Sequence, residues 1–110
     1  MDLVFANNKL RRQMSSEREM QRAFGERARK LQLRLGVLKN AASLADVPRD
    51  PPTRCHELTG DWAGCFAVMI AGNWRLVFEP GHNPTPTTAD GGVDLSSVTA
   101  VRVLEVVDYH

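Results

Sequence analysis

Apolar residues recur along the first half of the chain at helical intervals and along the second half in short unbroken runs. Met20, Phe24, Ala28, Leu31, Leu35 and Leu38 follow one another at spacings of four, four, three, four and three. That stripe lays one face of residues 17–40 on a core. Ser16 followed by Glu19 is a capping box that opens this helix. Asn7 and Asn8, ahead of Lys9-Leu10-Arg11-Arg12-Gln13-Met14, open a shorter one. Leu3-Val4-Phe5 reads as an initial strand. Gly25 and Gly36 weaken the long helix slightly. The segment Val47-Pro48-Arg49-Asp50-Pro51-Pro52 ends it, because proline disfavours helix at its own position and the one before.

Beyond residue 54 the period changes. Cys65 to Ile70 and Trp74 to Glu79 are strand-like runs joined by Ala71-Gly72-Asn73, a length and composition that suit a tight hairpin. Residues 80–97, rich in Gly, Pro, Thr and Asp, form a long loop. Val98 to Val107 is a third strand, apolar on both faces and therefore central in a sheet. Two helices followed by a small, twisted, mainly antiparallel sheet make an α+β fold, and 110 residues make one domain, 1–110.

Composition narrows the classes. At 43% hydrophobic and 25% charged residues the chain matches globular averages. No apolar run approaches the ~20 residues that cross a bilayer, and Met1-Asp2-Leu3-Val4-Phe5 lacks the basic start of a secretory signal. A cytoplasmic location without membrane contact is expected. The net charge of +1 conceals an asymmetry: residues 1–54 carry 12 Lys or Arg against 6 Asp or Glu, and residues 55–110 carry 2 against 7. A basic half suits a polyanion or an acidic partner, or a helix that solvates itself. Arg22, Arg29, Lys30 and Arg34 are placed on the outer face of the long helix.

Several residues could carry chemistry. Asp108, Tyr109 and His110 supply an acceptor, a donor and a group that titrates near neutrality; the plain alternative is a solvated tail. Arg75 lies inside a strand-like run and needs a partner. By residue type that partner is a carboxylate, Asp61, Glu79 or Glu105; otherwise its fork could grip a phosphate. Cys55, His56 and Cys65 are three possible zinc donors without paired spacing, so neither metal nor other cofactor is expected. In a reducing compartment both cysteines remain thiols. Trp62, Phe66 and Trp74 read as packing residues.

Taken in order, His56-Glu57-Leu58-Thr59-Gly60-Asp61, Gly64, Asn73-Trp74-Arg75-Leu76-Val77-Phe78 and the final Asp108-Tyr109-His110 resemble the HigB-type branch of the RelE/ParE toxin superfamily. They are also similar to a group named killer suppression proteins. The resemblance covers the whole chain. It implies a toxin of a type II toxin–antitoxin pair that enters the ribosome and cuts messenger RNA without a metal, neutralised in a hetero-oligomer by a cognate helix-turn-helix antitoxin. By position, Arg75 matches the arginine at the scissile phosphate, Asp108, Tyr109 and His110 match the residues implicated in cleavage, and His56 matches a histidine beside them. The family pattern has a lysine where Thr59 stands here. A threonine offers only a neutral hydroxyl, so either another cation such as Arg54 supplies the charge or cleavage is weak. A weak or inactive binding module and a gyrase-targeting toxin are the alternatives the same fold allows.

Overall fold

The computed structural model describes residues 1–108. Strand β1 (Asp2–Phe5) is followed by helices α1 (Asn8–Gln13), α2 (Glu17–Phe24) and α3 (Ala28–Asn40), then by β2 (His56–Glu57), β3 (Phe66–Ala71), β4 (Trp74–Pro80) and β5 (Ala100–Asp108). The strands form one sheet in the order β1-β5-β4-β3-β2, with β1 parallel to β5 and every other pairing antiparallel. The expected α+β fold is thus present. β5 is an interior strand because β1 returns to cover the edge that β4 leaves open.

Both expected caps form. Asn7 Oδ1 accepts from Leu10 N at 2.8 Å, and Ser16 Oγ accepts from Glu19 N at 3.1 Å, which satisfies amide groups that the helix starts leave over. The apolar stripe packs on one face of the sheet. Leu31, Leu35 and Leu38 meet Phe66, Val68, Leu76, Phe78, Val101 and Val103, most of them with no exposed surface. A smaller cluster of Leu58, Ala67 and Val77 covers the opposite face, backed by Trp62, Leu104 and Val107. The alternation of β3 and β4 between these clusters follows from the two-residue period of a strand.

Two expectations are corrected. The stripe over residues 17–40 is not one helix. Gly25 adopts φ +59° and ψ −130°, ending α2, and a 3₁₀ turn at Gly25–Arg27 leads into α3. The hydrophobic spacing survives the break because the turn keeps both helices on the core.

Arg34 is not on the outer face. It is 7% exposed, and its Nε donates to the Met69 carbonyl at 2.7 Å. The reason is geometric. In an antiparallel strand the N–H and C=O of one residue point the same way. Those of Met69 point past the end of the two-residue strand β2. Thr53 O takes the N–H at 2.8 Å and Arg34 supplies the missing donor for the carbonyl. A long cation has become the cap of a sheet edge.

Two outcomes are expected in urea unfolding with an unchanged m-value. Gly25→Ala, whose Cβ meets nothing within 4 Å, should lose about 1–3 kcal/mol from backbone strain alone. Arg34→Met, which keeps most of the apolar stem but removes the donor, should lose about 1–3 kcal/mol by orphaning a buried carbonyl.

Candidate active site

The hairpin fixes Arg75. Gly72, at φ +56°, lets β3 turn into β4 through Gly72-Asn73. Arg75, the second residue of β4, folds one guanidinium nitrogen back onto that turn. Its Nη1 donates to Gly72 O at 3.0 Å and to Trp74 O at 3.2 Å. Both hydrogens of Nη1 are then committed, and the remaining edge, Nε and Nη2, is the edge that can bind a planar pair of oxygens.

Arg75 lines a cleft of about 330 Å³ together with Arg49, Arg54, Cys55, His56 and Met69. No carboxylate lines it among the described residues. The ion pair that residue type favours for Arg75 is not made: among the described residues two ion pairs form, Arg22–Glu19 at 3.6 Å and Arg102–Glu79 at 2.6 Å. Glu79, the acid closest to Arg75 along β4, is thereby taken by the neighbouring strand β5. Three arginines and a histidine thus line the cleft, and no acidic residue does so among the described residues. Such a site attracts anions, and it does so more strongly as salt falls.

The loop before β2 delivers the other cations. Arg54 has φ +48°, in the left-handed region that a side chain enters at a cost of about 1–2 kcal/mol. Its N–H bonds to Asp50 O at 3.0 Å and its carbonyl lies 2.9 Å from His56 Nδ1. A carbonyl can only accept, so Nδ1 carries the hydrogen, and the lone pair of the neutral ring is on Nε2. His56 is exposed, so that nitrogen is available for proton transfer or hydrogen bonding.

Cys55 is buried at the back of the cleft, and burial pushes its thiol up to about 11 although the Arg49 guanidinium pulls the other way. It therefore stays protonated and unreactive near neutrality. Burial also raises the Cys65 thiol, aided by Glu79. Cys55 packs into the helix-side cluster and Cys65 against the opposite one, so the two do not face each other.

The remaining expected site residues fall in different places. Thr59 is exposed, precedes the 3₁₀ turn Gly60–Trp62 and does not line the cleft. Asp108 is the register partner of Trp74, while Arg75 opposes Val107. Strand alternation therefore sets Asp108 and Arg75 on opposite faces, one residue apart along the ladder. Tyr109 and His110 lie outside the described residues. On the helices, Arg22, Arg29 and Lys30 are exposed as expected. Trp74 is a packing residue, with the Arg27 guanidinium carbon 3.8 Å from its ring centroid.

The sequence reading missed Arg49. Nothing periodic marks it, and only the folding of the proline-rich loop beside β3 brings it to Arg75. The available signal was the unusual density of proline at 48, 51 and 52, which makes a short loop stiff enough to hold a side chain in place.

No family model and no curated protein matches the chain. Its fold is similar to solved structures. A YoeB/ParE toxin from Agrobacterium tumefaciens aligns over 100% of this chain and 99% of that one, with a TM-score of 0.55 and 16% identity. A mutant of YafQ from E. coli aligns over 96% and 89%, again with a TM-score of 0.55 and 16% identity. At such identity the likeness speaks for architecture: the chain has the RelE/ParE-type toxin fold.

Proposed function

We propose that this protein is the toxin of a type II toxin–antitoxin pair, of HigB type, and that it cuts messenger RNA on the ribosome through the RNA 2′-hydroxyl. The observation that carries the reading is the cleft at Arg75: an arginine fixed by its own turn, two further arginines, a histidine and, among the described residues, no carboxylate. The shared fold and the ordered motifs support it.

The chemistry follows from the groups. A base takes the proton of the 2′-oxygen, which attacks phosphorus. Negative charge grows on the non-bridging oxygens, where the Nε–Nη2 edge of Arg75 meets it. The bond from phosphorus to the 5′-oxygen breaks, and an acid returns a proton to that oxygen. The products are a cyclic 2′,3′-phosphate and a 5′-hydroxyl. His110 is assigned proton transfer and Tyr109 a hydrogen bond to the nucleotide, as the motif match implies, while Asp108, set on the face of the sheet away from Arg75, takes no part at the phosphate. His56 lies beside the phosphate, with Nε2 able to exchange a proton. Arg54 supplies the charge that Thr59 lacks. Arg22, Arg29 and Lys30 form the basic face toward ribosomal RNA, an attraction that weakens with salt. A helix-turn-helix antitoxin in a hetero-oligomer would complete the system, which would act in the cytoplasm.

Arg75→Ala should lower ribosome-dependent cleavage by roughly 100- to 1000-fold, the usual effect of removing one donor to a developing anion. His110→Ala should lower it by roughly 100-fold or more. Both variants should relieve growth arrest on induction. Toxicity without RNA cuts would instead indicate another target such as gyrase, and a wild type that neither cuts nor arrests growth would indicate a binding module.

A further inference from the structure

The cleft is lined by more arginines than one phosphodiester can neutralise. A diester carries a single negative charge, and three arginines line the pocket. They also arrive from two directions. Arg75 comes from β4, whereas Arg49 and Arg54 come from the loop that leads into β2, on the far side of β3. Two strand spacings, about 9–10 Å, separate the backbones of the two groups.

Met69 lies between. It is the register partner of Arg75 and also lines the cleft. The loop is closed on itself by Arg54 N to Asp50 O and Cys55 N to Pro48 O, both 3.0 Å, and is tied to the sheet by Met69 N to Thr53 O at 2.8 Å. The Asp50 side chain does not line the cleft. Arg54 is held at its left-handed φ in the middle of this arrangement. Strain of that kind persists where the surroundings impose it, and it concentrates at ligand clamps.

We propose that the cleft binds two consecutive phosphates of one RNA strand, the first on Arg75 and its neighbour on Arg49 and Arg54. The proposal rests on the reading of the cleft as an RNA site and adds to it a second phosphate position and a role for Arg49. Met69 provides an apolar floor for the sugar that joins the two phosphates. Since the loop is already ordered, little freedom is lost on binding.

The test is equilibrium binding of short 2′-O-methylated RNAs, which cannot supply the attacking hydroxyl, to the full chain across a salt series. A trinucleotide with two internal phosphates should bind about ten- to a hundredfold tighter than a dinucleotide with one. Its logarithmic salt slope should be about −1.4, or about −0.7 per phosphate. The double variant Arg49→Ala/Arg54→Ala, which removes both partners of the second phosphate, should bring the trinucleotide slope to about −0.7 and abolish its advantage, whereas Lys39→Ala, at the exposed end of α3, should change neither. Equal binding of the two RNAs, or an unaltered slope in Arg49→Ala/Arg54→Ala, would overturn the proposal. So would adenosine 5′-monophosphate binding as tightly as the trinucleotide, because the arginines would then serve one terminal dianion. Failure of the nuclease reading looks different: wild type would show the two-phosphate slope yet leave ribosome-bound messenger RNA uncut.

Discussion

The geometry of this protein's cleft depends on how the backbone of one turn holds one arginine. Arg75 makes no ion pair with any described residue, and Glu79, four residues further along β4, is held by Arg102 of the adjacent strand at 2.6 Å. Arg75 instead rests on two backbone carbonyls of its own turn, which orient the guanidinium without cancelling its charge. A carbonyl pair fixes direction at low electrostatic expense; a carboxylate would have quenched the field that a phosphate needs. The Arg102–Glu79 pair is partly exposed and contributes little to stability.

The rest of the fold supplies a rigid frame for that charge. β5 is paired on both sides, and the helices press their leucine stripe on the face opposite Arg75. Met69 is the junction of frame and site. Its carbonyl is held by Arg34 from the helix layer, its N–H by Thr53 from the cationic loop, and its register partner is Arg75. The helix layer therefore reaches the cleft through Met69, whose N–H and carbonyl are both hydrogen-bonded, and through Cys55, which packs into the helix-side cluster.

Much of the architecture was legible from the chain. The hairpin, the valine-rich strand and both N-caps rest on local rules and form, whereas only the Ser16 half of the capping box is made, Glu19 turning its carboxylate to Arg22. Where reading by residue type and reading by spacing disagreed, spacing was the better guide. Arg34 stands three residues after Leu31 and four before Leu38, on the buried stripe, yet its charge argued for solvent. The break at Gly25 left no trace in the hydrophobic pattern, because a 3₁₀ turn preserved the facing of both helices. The site was legible in part. Arg54, His56 and Arg75 were identifiable and do share one cleft, while Thr59 lies apart from it and Asp108 is set on the other face of the sheet. Arg49 depends on a non-periodic loop folding beside a strand remote in sequence, information that no local pattern carries.

Cleavage as proposed requires that the outward edge of Arg75 receive the phosphate. Nitrogen-15 NMR of the arginine side chains reports this directly, during titration with 2′-O-methylated RNA. The Arg75 Nε–H resonance should move downfield with slowed exchange, whereas Arg34 Nε–H, already committed to the Met69 carbonyl, should stay where it is. An Arg75 signal that remains unmoved while those of Arg22 and Arg29 shift would place the RNA on the helices and contradict the account.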